Sequence, residues 1–148
     1  MINQVLHSIE WSEIANVLGH LLAAFVLALP MGWNREKRSQ GAGLRTFPLV
    51  AMASCGFMLI GIDEYQSAEA QARLAYGIIT GIGFIGGGAI LKNDHKVSGT
   101  ATASCIWSTG AIGLSVAHNR FEIAIALSIA NVFTLLVGGL IKGKKKDT

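Results

Sequence analysis

Leu74-Ala75-Tyr76-Gly77-Ile78-Ile79-Thr80-Gly81-Ile82-Gly83-Phe84-Ile85-Gly86-Gly87-Gly88-Ala89-Ile90-Leu91 is the stretch that decides the fold. It contains Gly81-Ile82-Gly83-Phe84-Ile85-Gly86, which matches the glycine spacing of a dinucleotide-binding turn. That turn needs a strand before it and an acidic residue about 20 positions later to hold a ribose. Neither is present: the glycines sit inside an uncharged apolar run. A packing surface in a lipid-embedded helix explains them better. Gly77 with Gly81 and Gly83 with Gly87 give the small-xxx-small spacing that lets helix backbones approach closely. The contact is either within the chain, which is the plainer reading, or across a homodimer.

Four further apolar runs flank this one. The spans are read as 14–33, 44–62, 74–91, 99–117 and 121–141, each close to the ~20 residues that cross a hydrocarbon core. Composition agrees: the mean hydropathy is +0.49, and 14% of residues are charged, against about 25% in soluble domains. The 148 residues leave room for one domain, and the eighteen glycines suit closely packed membrane helices. The expected fold is an all-α polytopic bundle of about five transmembrane helices. Residues 1–13, with Ile2, Val5, Leu6 and Ile9 at helical spacing, are expected to lie on the membrane surface, with Ser12 as N-cap of the first span. Residues 142–148 form a basic tail. No cleavable leader is expected, because residues 1–13 lack a basic start and carry Glu10 and Glu13.

Charge gives orientation. If the joining segments alternate between two sides, one side holds Arg35, Lys37, Arg38, Arg45, Lys92, Lys96, Lys142, Lys144, Lys145 and Lys146, and the other holds Arg73 and Arg120. The richer side is expected in the cytoplasm. The N-terminus is then outside, the C-terminus inside, and the fourth run is a true span rather than a re-entrant one. That fourth run is the most polar. Its Ala101, Ser104, Ser108, Ala111 and Ser115 lie on one stripe, read as a tight seam or else as the wall of a polar pathway.

The loop between the first two spans reads Gly32-Trp33-Asn34-Arg35-Glu36-Lys37-Arg38-Ser39-Gln40-Gly41-Ala42-Gly43-Leu44-Arg45-Thr46. Arg35, Glu36 and Arg45 lie at the span ends, where charges snorkel, pair or line a cavity. A polar cluster at the cytoplasmic mouth is expected from Arg35, Glu36, Arg45 and Thr46 with Lys92, Asp94, Thr100 and Thr102, with Glu36 pairing to Arg35 or Arg45. It is read as a ligand or partner site, or as a structural clamp. His20 and Asn131 are read as satisfied interhelical hydrogen bonds, and Cys55 and Cys105 as small apolar side chains.

These pieces together resemble the MgtC/SapB family of bacterial membrane proteins. The matching residues are Gly32-x-x-Arg35-Glu36, then Gly43-Leu44-Arg45-Thr46, then Gly81-Ile82-Gly83-Phe84-Ile85-Gly86-x-Gly88-Ala89-Ile90-Leu91. The pattern continues through Val97-x-Gly99-x-x-Thr102-Ala103 and Trp107 to Ala111-Ile112-Gly113. The resemblance implies a five-span inner-membrane protein with a periplasmic N-terminus, linked to growth in low magnesium and to survival inside host cells. Departures are Ser98, where a basic residue is usual, the run Gly99-Thr100-Ala101-Thr102, and Ser108, where virulence-type members carry Cys. Many members add a small cytoplasmic domain after the last span, and this sequence is read as a short member without it.

Three function classes follow. A membrane enzyme is the weakest, because no nucleophile-and-base set and no metal triad is visible. A carrier or channel for Mg²⁺ or another small ion meets the difficulty that no Asp or Glu lies centrally in any span, whereas Mg²⁺ prefers carboxylate and water oxygens. A regulatory modulator of other inner-membrane proteins asks only for packing surfaces and a charged cytoplasmic face, and is preferred. The expected partners are the lipid bilayer, a second copy and other inner-membrane proteins, with no cofactor, no bound metal and no nucleic acid.

Overall fold

The computed structural model describes residues 10–36, 42–93 and 96–144. Among them run five helices: α1 (Trp11–Glu36), α2 (Thr46–Glu64), α3 (Ala68–Gly88), α4 (Thr100–Ala117) and α5 (Phe121–Lys144). A short antiparallel hairpin, β1 (Leu91–Asn93) and β2 (Lys96–Ser98), joins α3 to α4, with Lys92 opposite Val97. The surface segment expected at residues 1–13 falls largely outside the described residues, as do Lys145 and Lys146.

Local chemistry sets the boundaries. The Glu10 carbonyl accepts the Glu13 and Ile14 N–H groups, so α1 starts at Trp11 and Ser12 lies inside it rather than capping it. In α2, Pro48 stands in the first turn, where helix N–H groups have no intrahelical partner and a missing donor costs nothing. Ser67 caps α3 by accepting the Ala70 N–H at 3.2 Å, so that helix begins six residues before the expected span. It also ends earlier, at Gly88: Ala89 and Ile90 fold back onto the Gly86 and Gly87 carbonyls, and Leu91 enters the hairpin instead of the membrane helix. Gly99 then turns the chain into α4 with φ 85°, a conformation favoured by glycine. At the far end of α4, Asn119 adopts φ 57° and Arg120 N–H reaches the Ser115 carbonyl at 2.8 Å, closing the helix before α5 starts.

The central helix is the polar one. α4 packs against all four others, while α3 touches only α4 and α2 substantially. One cluster joins Ala28 and Met31 of α1, Cys55 and Met58 of α2, and Ile112 and Val116 of α4. A second joins Phe47, Val50, Ile82, Cys105 and Ile106 nearer the hairpin end. Backbones meet closely here: a Cβ on Gly113 would run into the Ala51 carbonyl. The hydroxyls of α4 are satisfied locally, as Ser104, Thr109 and Ser115 donate to carbonyls one turn back. That solution removes the cost of carrying them through an apolar medium.

α1, α2 and the Phe121–Ile141 part of α5 are each long and apolar enough to cross a membrane by themselves. α3 and α4 fall short of that measure on composition: α3 opens with polar residues and closes with glycines, and α4 is rich in hydroxyls. Both run alongside the other helices, and short connections make chain neighbours antiparallel. The molecule therefore has a basic end, with Arg35, Arg45 and Lys92, and an acidic end, with Glu13, Asp63 and Glu64. Pro30 inside α1 cannot donate to the Val26 carbonyl. Next to that gap, Ser128 of α5 donates its hydroxyl to the Leu27 carbonyl at 2.7 Å.

A candidate site at the basic end of the bundle

The last turn of α1 and the first turn of α2 are clasped together. The Glu36 carboxylate accepts the Leu44 N–H at 2.8 Å, two residues before α2 begins. A carboxylate so placed also faces the positive end of the α2 dipole. The approach needs two glycines. A Cβ on Gly43 would collide with the Glu36 carboxylate, and one on Gly32 would lie 3.1 Å from Leu44 Cα. The expected pairing of Glu36 with Arg35 or Arg45 does not form. Among the described residues the only ion pair is Arg120–Glu122, at the opposite end. A backbone N–H on the same loop satisfies the carboxylate instead.

Arg35 turns to the central helix. Its Nη2 donates to the Thr102 hydroxyl at 2.8 Å, and Thr102 is buried. The Arg35 Nε and the Asn34 Oδ1 are also buried and find no hydrogen-bond partner among the described residues. Among the described residues, this end therefore holds a positive charge with one buried donor unpaired and, on the neighbouring residue, one buried acceptor unpaired. The Arg35 charge favours an anionic partner and disfavours a metal cation beside it, while the Asn34 oxygen calls for a hydrogen-bond donor.

The other expected members are placed as follows. Thr46 is half-buried at the start of α2 and lines a groove between α2 and α3. Arg45 and Lys92 are exposed, and their side chains make no hydrogen bond or ion pair with described residues. Thr100 is exposed at the first position of α4, its carbonyl taken by Ser104. Asp94 lies outside the described residues. The structure thus brings together Arg35, Glu36 and Thr102, and leaves Arg45, Lys92 and Thr100 on the surface.

The small-residue faces also divide. Ser108 accepts from Asn131 Nδ2 at 2.6 Å, joining α4 to α5, and Ala111 and Ser115 are half-buried, whereas Ser104 is exposed. A Cβ added at Gly77, Gly81, Gly83 or Gly87 would meet nothing within 4 Å. The within-chain reading of these four glycines is therefore corrected. The seam of α3 is formed by Ile82 and Gly86, and Gly86 sits against the Ala103 carbonyl. Gly77 and Gly81 open on the α2 side and Gly83 and Gly87 on the α4 side.

A second polar region, not assembled from the sequence, lies at the acidic end. Glu13, Asn16 and His20 of α1, Asp63 of α2 and Asn119 line a cavity of about 800 Å³. His20 is buried, with Nδ1 2.9 Å from the Asn16 carbonyl and Nε2 2.9 Å from Asn119 Oδ1. His20 and Asn131 are each satisfied, as expected. Residues 99 apart in sequence gave no signal that they would meet. Among the described residues no three His, Cys, Asp or Glu side chains gather as a metal site.

Comparison with known proteins follows the same residues. YhiD of Escherichia coli K12, named "Putative magnesium transporter YhiD", is 35% identical over 130 residues, covering 83% of this chain and 59% of the relative. SrpB of Synechococcus elongatus is 34% identical, covering 78% of this chain and 69% of the relative. MgtC of Brucella abortus is 32% identical, covering 89% of this chain and 54% of the relative. The chain thus spans little more than half the length of YhiD and MgtC. No solved structure matches it. The profile of the MgtC family matches residues 21–143, from within α1 to the end of α5 and through the whole Arg35–Glu36–Thr102 site, and this membrane protein belongs to that family.

Proposed function

We propose that this chain is a bacterial inner-membrane modulator in magnesium homeostasis, acting on other membrane proteins rather than carrying Mg²⁺ itself. The basic end faces the cytoplasm in this reading. The observation that carries it is Arg35: a cation hydrogen-bonded to the central helix at the mouth, above a core filled by Phe47, Cys105 and Ile106. A divalent cation travelling through the centre of the bundle would meet a fixed like charge and a packed interior. Conversely, the Arg35 charge together with the exposed Arg45 and Lys92 suits an acidic segment of a partner. The name of the YhiD relative and the magnesium link of the family support the physiological setting.

The carrier reading is favoured by a different feature, the cavity at the acidic end with Glu13 and Asp63 on its wall. Proteoliposomes loaded with a magnesium-sensitive dye decide between the two. The expected result is no protein-dependent influx, together with specific co-purification of membrane partners in mild detergent that R35Q diminishes. A robust influx above leak controls restores the carrier.

A further inference from the structure

A groove of about 700 Å³ runs between α2 and α3. Leu49, Ala53 and Phe57 form one wall, and Gly77, Gly81 and Ile85 the other. The two glycines deepen it, because nothing of the chain itself lies within 4 Å of where their side chains would be. Thr46 stands at the basic end of the groove and Arg73 at the other. From Arg73 to Ile85 the helix rises about 18 Å, somewhat more than half of the ~30 Å hydrocarbon thickness, which is the reach of one leaflet.

Arg73 is exposed and makes no ion pair with any described residue. It sits five residues into α3, and helical side chains lean back toward the helix N-terminus, here the acidic end. At the edge of the apolar span, an arginine without an ion partner among the described residues is suited to an anion at the interface. We propose that the groove holds one acyl chain of an anionic phospholipid, and that Arg73 holds its phosphate. A second copy of the chain fits less well. Isologous packing about an axis along the membrane normal would set Arg73 beside its counterpart at equal depth, a like-charge contact. A phosphate supplies the opposite charge at the point where the apolar groove ends.

The test is native mass spectrometry of the purified full chain titrated with phosphatidylglycerol, and with diacylglycerol as the phosphate-free control. The parent should retain phosphatidylglycerol over diacylglycerol. R73Q should lose about tenfold or more of that affinity, as expected for removing a charge-assisted hydrogen bond, and R73K should lose less. G81L should abolish retention by filling the groove, and its Cβ enters open space, so its thermal melt should match the parent. G88L, also in open space but outside the groove, should leave retention unchanged. If G81L does not fold, A53L fills the same groove from the exposed face of α2. Equal retention by the parent and R73Q, or undiminished retention in the groove-filling variant, overturns the proposal. So does a groove-filling variant that changes the oligomeric state and not the bound lipid, since a second copy would then be the occupant.

Discussion

Arg35 donates from Nη2 to the Thr102 hydroxyl at 2.8 Å, fastening the end of α1 to the start of α4 across 67 residues of sequence. Nine residues into α1, His20 reaches Asn119 in the turn after α4. The two contacts fix the register of α1 on the central helix at both ends of α4. Between them the helices meet through apolar atoms, which resist sliding far less than directional bonds do.

The Arg35 contact can be cut without changing shape. Thr102→Val removes the acceptor from a buried site and leaves the guanidinium with two unused donor groups. The expected cost is about 1–3 kcal/mol, read as a lower melting temperature in detergent. Arg35→Met on the same background should recover part of it, because no charge is then stranded. If T102V melts with the parent, the bond is not a clamp.

Glu36 is predicted to act through the backbone and not through a charge partner. Glu36→Ala should cost about 1 kcal/mol, the usual value of a lost cap. Glu36→Gln keeps an acceptor and should cost less. Arg45→Gln, at an exposed side chain with no ion pair, should stay within about 0.5 kcal/mol of the parent. An Arg45→Gln loss as large as that of Glu36→Ala would reinstate the ion pair.

The helical layout was legible in the sequence because uncharged runs near twenty residues admit few other folds. The hairpin was not, since Leu91 read as the last residue of the third span and Val97 as part of the loop before the fourth. The start of α3 was missed for the opposite reason: Ala68 to Arg73 are too polar for a span, yet Ser67 caps them into the same helix. Of the motif residues expected at the mouth, Arg35 and Thr102 are joined by a hydrogen bond and Glu36 follows Arg35 in the chain. Their partners were misjudged, because opposite charges suggest an ion pair while the folded loop puts the Leu44 N–H nearer to Glu36. Whether a glycine face is filled depends on how the helix rotates in the bundle, which spacing alone leaves open.

Topology follows from the ends of the bundle. Arg35, Arg45 and Lys92 share one end, and α5 ends there at Lys144, so that end should be cytoplasmic. After replacing the buried Cys55 and Cys105, single cysteines at Asp63 or Glu64 should label from outside intact cells. A cysteine at Thr148 should label only after permeabilisation. External labelling at Thr148 would invert the arrangement.

The last prediction separates two kinds of glycine. Gly113 lies where a Cβ would strike the Ala51 carbonyl and come within 2.9 Å of Ser54 Cβ and 3.0 Å of the Cys55 nitrogen. Backbone cannot give way as a flexible side chain can, so Gly113→Ala should destabilise the bundle despite alanine's better helix propensity, itself worth about 1 kcal/mol. Gly83 and Gly87 lie in open space beside the exposed ring of Phe84, on the flank facing Ala103, Ser104 and Trp107. Leucine at either position should leave the monomer's melt unchanged. If that flank is where two copies meet, the same leucines should convert a dimer into a monomer by holding the backbones apart. Light scattering of the parent, G83L and G87L in several detergents and in nanodiscs reads this directly. A parent that is monomeric throughout removes the dimer and leaves that flank to lipid. A G113A protein as stable as the parent would mean that α2 and α4 are not in the close contact described here.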